Sequence, residues 1–156
     1  MKKSNHIDPT KYTESGSEDA IQISLFIWCQ QNLETYPDLR LLFAIPNGMH
    51  TPNKRAASRM RAMGMKRGVP DIFLPVRRGE FSGLFIELKK IKGGKTSDEQ
   101  SEWINDLKAQ GYGAIVCKGF EAARDVLIEY LNYKKLDPVK QSAKWTPAEK
   151  QMFGEW

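Results

Sequence analysis

Three ionisable residues stand where the sequence predicts buried strands. Asp71 opens the apolar run 71–76, and Glu87 and Lys89 lie inside the run 85–89. Short runs rich in Ile, Leu, Phe and Val are typical of buried strands. A charge removed from water without a partner is costly, so we expect compensating groups near all three side chains. Because carboxylates that converge on one point repel each other unless a cation lies between them, the pattern predicts a metal site.

Two further polar residues are predicted to face inward from helices. Glu18 lies one helical turn before Ile21, on the apolar stripe of the first helix. Gln100 continues the apolar stripe of a later helix, beside the end of the strand that carries Lys89. Each also fits a capping box, with a serine three residues earlier at Ser15 or Ser97. The local sequence leaves a cap and a functional site equally open for Glu18.

The candidate metal ligands are all oxygen donors: Asp71, Glu87, Glu18 and the backbone carbonyl of Leu88. Oxygen ligands favour Mg²⁺, with Mn²⁺ as a substitute, and the two histidines in the chain argue against zinc. Lys89 can orient a water or stabilise charge developing on a phosphate, and Gln100 can hold either group in place. The alternative is a buried salt bridge from Lys89 to Glu87 or Asp71. Such pairs are seldom net stabilising, which favours the metal site.

An alternation of helices and strands must position these residues. Periodicity predicts a helix over 15–36, and the turn residues Pro46-Asn47-Gly48 end a short buried strand over 41–45. Strands over 71–76 and 83–90 lie close in sequence and should form an antiparallel hairpin. A helix over 97–110 leads to a strand over 114–117, which should be parallel to the Glu87 strand. A final helix is predicted over 120–133, and the fold class is therefore α/β.

A basic segment between the first two predicted strands favours an anionic partner. The chain has a formal net charge of +5, and residues 53–67 contain six cations and no acid. The six cations are Lys54, Arg55, Arg59, Arg61, Lys66 and Arg67. Although a solvated surface is the commoner reason for clustered charge, a run without acids favours contact with a phosphate backbone. Ala56, Met60 and Met63 share one helical face, so we expect this helix to dock by its apolar side.

Other features of the sequence narrow the function by exclusion. Gly93-Gly94-Lys95-Thr96 precedes a helix, but Lys89 occupies the position where a phosphate-binding loop needs glycine, so no nucleotide cofactor is predicted. Cys29 and Cys117 are far apart and are expected to be reduced and buried. The sequence contains no apolar run of membrane-spanning length, so we expect an intracellular protein without a membrane partner.

The ordered motifs resemble the VRR-NUC family (virus-type replication-repair nucleases) of the PD-(D/E)XK superfamily. The matching features are Ser17-Glu18, Pro46-Asn47-Gly48, Gly68-Val69-Pro70-Asp71, Ile86-Glu87-Leu88-Lys89, and Ser97, Gln100 and Trp103 followed by Gly111. Together they cover roughly residues 18–130. The resemblance implies a restriction-endonuclease-like αβββαβ core with a mixed central sheet flanked by helices.

The same resemblance implies an Mg²⁺-dependent DNA endonuclease. It implies that Asp71 and Glu87 hold the metal, that Glu18 assists, that Lys89 is the catalytic lysine and that Gln100 supports them. Asn47 joins the six cations as a candidate DNA-binding residue. Stand-alone phage and bacterial members resemble Holliday-junction resolvases and act as homodimers. We therefore expect branched DNA as the partner, and the cytoplasm of a bacterial or phage-infected cell as the location.

The predicted organisation is a flexible arm over 1–14, a nuclease domain over 15–134 and a C-terminal extension over 135–156. Two alternatives remain beside the branched-DNA nuclease. One is a catalytically silent DNA-binding or scaffolding protein, against which the intact Asp71, Glu87 and Lys89 count. The other is a site-specific endonuclease of restriction type, which would need recognition elements that 156 residues barely accommodate.

Overall fold

A four-stranded mixed sheet forms the centre of the protein. The computed structural model describes residues 7–46 and 53–135. The strands are β1 (Phe43–Ala44), β2 (Ile72–Leu74), β3 (Leu84–Lys89) and β4 (Gly113–Lys118), in the order β1-β2-β3-β4. The β1–β2 and β2–β3 pairs are antiparallel and the β3–β4 pair is parallel. The predicted α/β class, the hairpin and the parallel crossover are all confirmed.

Within the described residues, four α-helices accompany the sheet: α1 (Glu18–Gln31), α2 (Lys54–Ala62), α3 (Asp98–Ala109) and α4 (Phe120–Asn132). One face of the sheet carries alternate aliphatic residues of β2 and β3, including Ile72, Ile86 and Leu88, which are nearly inaccessible to solvent. These residues pack with Leu25 of α1 and Leu127 of α4 in a single core cluster. Since β3 alternates faces, Phe85, Glu87 and Lys89 lie on the other side, where α3 is found.

The first helix begins later than predicted. Ser15 ends a 3-10 helix over Pro9–Ser15, where a loose arm had been expected, and Gly16 follows in the left-handed conformation. The chain direction therefore changes before the helix starts. Ser17, rather than Ser15, is the N-cap, and its Oγ accepts a hydrogen bond from the Ala20 N–H at 3.2 Å. The capping box of Ser15 and Glu18 is thus wrong, which leaves the Glu18 carboxylate available for other contacts.

Two other expectations need correction. The predicted buried strand over 41–45 is reduced to Phe43–Ala44, because Pro37–Leu41 forms a 3-10 helix, and both strand residues are exposed. Helix α2 is covered less than predicted: Ala56 and Met60 of its apolar side are half-buried, none of its nine residues is buried, and Met63 beyond it is exposed. The turn at Pro46-Asn47-Gly48 lies largely outside the described residues.

The two cysteines are buried, as the sequence predicted. Cys29 and Cys117 are buried free thiols, and burial raises the pKa of Cys29 to about 12 and that of Cys117 to about 11. In residues 7–46 and 53–135, no helix is both long and apolar enough to cross a membrane.

Candidate active site

Glu87 and Lys89 form a buried pair at the end of β3. Glu87 is 1% exposed and Lys89 5% exposed. The Lys89 ammonium donates to Glu87 Oε1 at 2.5 Å and to the Leu88 carbonyl oxygen at 3.1 Å. The two side chains are two residues apart on one strand, so the pleat places both on the α3 face. The salt bridge weighed from the sequence is therefore present, and it does not use all of the polar atoms of Glu87.

Gln100 joins this pair from the first turn of α3. Its Nε2 donates a short hydrogen bond to Glu87 Oε1, while its Oε1 accepts from the Ser97 N–H at 2.9 Å. The Ser97 Oγ in turn accepts from the Gln100 N–H, so the predicted capping box is confirmed. One side chain thus caps a helix and contacts the carboxylate. The cap fixes the position of Gln100, because both ends of its amide are occupied.

Asp71 reaches the same place from the residue before β2. Its Oδ2 accepts a hydrogen bond from the Leu88 N–H at 2.8 Å. The Asp71 carbonyl oxygen also accepts from the Ile45 N–H at 2.7 Å, which extends the β1–β2 pairing by one step. Asp71 therefore lies at the end of the sheet where Glu87 and Lys89 emerge, with its carboxylate against the backbone of β3.

Glu18 approaches from the first turn of α1. Its Oε2 lies 3.8 Å from Lys89 Nζ, and its Oε1 accepts from the Lys90 N–H at 3.4 Å. Its side chain is 40% exposed, so it forms the solvent side of the group. The five predicted site residues, Glu18, Asp71, Glu87, Lys89 and Gln100, are thus brought together by four separate elements of the chain.

The pKa values of the Glu87 and Asp71 carboxyl groups are both raised in this arrangement. Burial raises the pKa of Glu87 to about 7, the Lys89 hydrogen bond opposes that rise, and the neighbouring Asp71 charge adds to it. Burial also raises the pKa of Asp71, against the hydrogen bond from the Leu88 N–H. The cation of Lys89 therefore does not fully compensate the carboxylates around it. A second positive charge would favour their ionised forms.

The donor set fits a hard divalent cation. Glu87 Oε2 is buried and has no hydrogen-bond partner among the described residues, which is unusual for a carboxylate oxygen. Within that part of the chain, no three acidic, histidine or cysteine side chains are already clustered as a cage. Mg²⁺ does not require one, because it keeps several waters and binds through one or two carboxylates. Asp71, Glu87 and the Leu88 carbonyl supply such a partial set.

The basic segment 53–67 leads directly into this site. Asn53 caps α2 by accepting from the N–H groups of Arg55 and Ala56 at 3.0 and 3.3 Å. All six cations named above are exposed, in keeping with a surface that meets a large anion. Asn47, the remaining candidate for DNA binding, lies outside the described residues.

Trp103 fixes the end of the basic segment to α3, a role that the sequence analysis missed. Its indole N–H donates to the Arg67 carbonyl oxygen at 3.0 Å, and Lys66 Nζ lies 5.8 Å from the ring centroid. The chain also passes close to α3 at Gly68, which has a φ of +81°. A Cβ at this position would lie 2.8 Å from the Glu99 carbonyl carbon, so a larger residue would clash with the backbone of α3. The sequence contained a signal for the Trp103 contact, because a tryptophan on the apolar side of a helix needs an acceptor for its indole N–H.

Comparisons with known proteins agree with this architecture. A family model for the VRR-NUC domain matches residues 17–121. A solved structure described as a VRR_NUC domain protein is similar at 30% sequence identity and a TM-score of 0.65, over 80% of this chain and 95% of that one. A search of curated proteins finds no match. The family match spans the four described strands and the residues that meet at Glu87 and Lys89. The chain therefore belongs to the VRR-NUC domain family, a family of nucleases that act on DNA.

Proposed function

We propose that this protein is a divalent-metal-dependent DNA endonuclease that prefers branched DNA such as Holliday junctions. The observation that carries the proposal is the unpaired, buried Glu87 Oε2 beside the Lys89 ammonium. A fold gains nothing in stability from a desolvated carboxylate oxygen without a donor. A cation bound at that point during the reaction would compensate the unpaired oxygen. We propose Mg²⁺ as that cation, with Mn²⁺ as a substitute.

In this proposal, Asp71, Glu87 and the Leu88 carbonyl hold the cation, with help from Glu18. When bound, such an ion supplies positive charge that stabilises a phosphoryl oxygen and lowers the pKa of a water. Lys89 donates a hydrogen bond to the attacking water or to a phosphate oxygen. Gln100 keeps Glu87 in place, because its amide is itself fixed by the helix cap.

Glu18 takes the solvent side of the proposed reaction. Its carboxylate is the most exposed of the three acids and lies 3.8 Å from Lys89 Nζ. That position suits a group that orients the water or receives its proton, because protons can pass from it to bulk solvent. We propose that the nuclease domain occupies residues 15–134, with the flanking segments 1–14 and 135–156 outside it.

We further propose that the six exposed cations between β1 and β2, together with Asn47, contact the DNA backbone. No base-reading element of a known DNA-binding type is found in the described residues, so selectivity for DNA structure is favoured over selectivity for sequence. A homodimer would present two such sites to two strands, which suits a four-way junction.

The experiment that tests the function incubates the protein with labelled linear, flap and four-way junction DNA. Each substrate is supplied with magnesium or with a chelator. We expect cutting of the branched substrates in magnesium alone, and none by Glu87→Ala. Asp125→Ala is the matched control, because it also removes a carboxylate, and Asp125 is an exposed residue of α4 whose ion pair is with Arg124. Cutting that persists in the chelator, or equally in Glu87→Ala, would remove the site from the mechanism.

The basic segment is tested by the salt dependence of binding. Each phosphate contact contributes about 0.9 to the slope of log affinity against log salt, so Arg55→Ala with Arg59→Ala should lower that slope by about 2. Lys11→Ala with Arg124→Ala removes the same charge elsewhere and should leave it unchanged. An equal change in both double variants would show only a general effect of net charge.

A further inference from the structure

The sheet face that carries Glu87 and Lys89 also carries a row of aromatic rings. Phe43, Phe73 and Phe85 are direct cross-strand neighbours on β1, β2 and β3. The Phe73 and Phe85 rings are stacked, with centroids 4.1 Å apart, and Phe43 meets Phe73 edge-on at 5.7 Å. Tyr112 contacts both stacked rings edge-on, at 6.0 and 5.4 Å. None of these rings takes part in the chemistry proposed above.

This aromatic row (Phe43, Phe73 and Phe85) is the immediate neighbour of the catalytic row. Phe85 precedes Glu87 by two residues, and Phe73 follows Asp71 by two residues, so each pair shares one face of the sheet. Two residues of strand correspond to roughly 7 Å. A molecule held with its reacting bond at Glu87 and Asp71 would therefore have its adjoining parts beside the rings.

The outer end of the row is open to solvent. Phe43 is 48% exposed, and Leu41, two residues before it, is 41% exposed. On the opposite face, the side chains of Ile72 and Ile86 are fully covered by the core. An apolar patch that is left exposed beside a reactive site usually marks a binding surface.

The surroundings of the row indicate what it binds. The basic segment 53–67 lies in the connection between β1 and β2, which leaves the sheet after Ile45 and returns at Asp71. The connection therefore begins and ends at the end of the sheet where the carboxylates lie, and its six cations are exposed. Flat rings flanked by cations complement a ligand with flat aromatic groups on an anionic backbone. Nucleic acid with unpaired bases has that chemistry, because each free base presents a face for stacking.

We propose that the aromatic row, led by Phe43, stacks an unpaired base next to the phosphodiester bond that is cut. This inference rests on the proposed nuclease function and refines its substrate. Continuous duplex keeps its bases stacked on one another and offers none to Phe43. A flap or an opened branch point supplies an unpaired nucleotide, so among branched substrates those with an unpaired base at the branch are preferred.

The test places the fluorescent base 2-aminopurine at the unpaired position beside the branch of a flap substrate. The chelator is present, so that binding is measured without cutting. Stacking on an aromatic ring quenches this base, so we expect quenching by the wild type that is lost in Phe43→Leu. Phe43→Leu should also bind the flap roughly tenfold more weakly, the scale of one lost base–aromatic stack, while duplex affinity is unchanged.

Two matched variants separate stacking from packing. Phe43→Tyr keeps a ring and should restore both quenching and affinity. Ile23→Ala removes a similarly exposed apolar side chain (47% exposed) on α1, away from the row, and should change neither. Unchanged quenching in Phe43→Leu would overturn the inference, as would equal weakening on flap and duplex. A dimer that becomes a monomer on sedimentation of Phe43→Leu would also overturn it, because the row would then be an interface with a second copy. Quenching in a wild type that never cuts DNA would instead reject the nuclease function and leave the stacking site.

Discussion

Arg78 and Lys89 are both buried cations beside a carboxylate, but they differ in how completely they are paired. Arg78 is 5% exposed, and each nitrogen of its guanidinium group donates a hydrogen bond. Nε donates to the Leu131 carbonyl at 2.9 Å, Nη1 to the Arg77 carbonyl at 2.8 Å and Nη2 to Asp38 Oδ2 at 2.7 Å. This pair joins the end of α4 to the 3-10 helix before β1, and each nitrogen of the guanidinium group has an acceptor within the fold.

Lys89 is equally buried, yet its surroundings are not balanced. It lies among three carboxylates, of which Glu87 keeps an unpaired oxygen, and the pKa of both Glu87 and Asp71 is raised chiefly by burial. In an ion pair that stabilises the fold, the polar atoms are hydrogen-bonded within the protein. In an ion pair that takes part in chemistry, some polar atoms remain free to bind a ligand. The difference provides a way to recognise a site from geometry alone.

The largest expected effect comes from removing the Lys89 charge. Lys89→Met keeps most of the side-chain volume, and Gln100 still donates to Glu87 Oε1. We expect the cutting rate of four-way junction DNA to fall at least about 100-fold, the scale for losing one hydrogen-bond donor to developing charge. The dissociation constant for the same DNA, measured in chelator, should stay within about twofold because the exposed cations remain. A normal cutting rate would make the pair at Lys89 structural, like that at Arg78.

The corresponding change at Arg78 should affect stability and not chemistry. Breaking a fully buried ion pair costs about 3–5 kcal/mol, and Asp38 is one-third exposed, so we expect Arg78→Met to lower the free energy of unfolding by about 2–3 kcal/mol. Urea denaturation measures this quantity. Asp38→Asn keeps an acceptor for Nη2 and should cost less. At a temperature where the variant is folded, its cutting rate should equal that of the wild type, and a large drop would contradict the comparison.

Magnesium should distinguish the two pairs by binding to only one of them. A ligand at about ten times its dissociation constant stabilises the folded state by about 1.4 kcal/mol. We expect the midpoint temperature of thermal unfolding of the wild type and of Arg78→Met to rise in magnesium, by the increase that corresponds to this free energy. The midpoint should return to its original value in chelator. Glu87→Gln should show no shift, because it lacks the charge of the ligand. An identical shift in Glu87→Gln would place the bound ion elsewhere.

How far the sequence predicted this site depended on how local each signal was. The capping box of Ser97 and Gln100, the hairpin and the parallel crossover follow from short-range spacing, and the structure contains all three. The placement of Glu87 and Lys89 on one face of their strand follows from the two-residue period of strands. These signals were sufficient to assemble the candidate site.

Features that depend on contacts between distant segments were not predicted. The start of α1 was also mispredicted, but for a local reason, because Gly16 and Ser17 set it rather than the serine that fits the capping pattern. The exposure of Phe43 depends on which face of the sheet the helices cover, and the sequence of 41–45 does not contain that information. The use of Arg78 as a buried anchor, 53 residues from Leu131, likewise could not be read from its polar surroundings.

The pH dependence of the metal-free protein follows from the raised pKa of Glu87. Glu87 has a folded-state pKa of about 7, above its ordinary value of 4.5. Between these values the folded state holds a proton that the unfolded chain has released, so unfolding releases a proton and the free energy of unfolding falls as pH rises. The contribution of Glu87 is fully present below its unfolded pKa and is lost as pH passes through 7. The raised pKa of Asp71 acts in the same direction.

This pH dependence of stability should arise from the Glu87–Lys89 pair and not from the Asp38–Arg78 pair. Urea denaturation in chelator across pH 5–8 should show a steeper fall in stability for the wild type than for Glu87→Gln, in which only Asp71 keeps a carboxyl group with a raised pKa. Arg78→Met should keep the wild-type slope at a lower overall stability, because Glu87 is unchanged in that variant. Magnesium should flatten the wild-type slope, since the cation favours the ionised carboxylate that burial disfavours. Equal slopes in the wild type and Glu87→Gln would mean that Lys89 already balances Glu87, and the contrast with Arg78 would disappear.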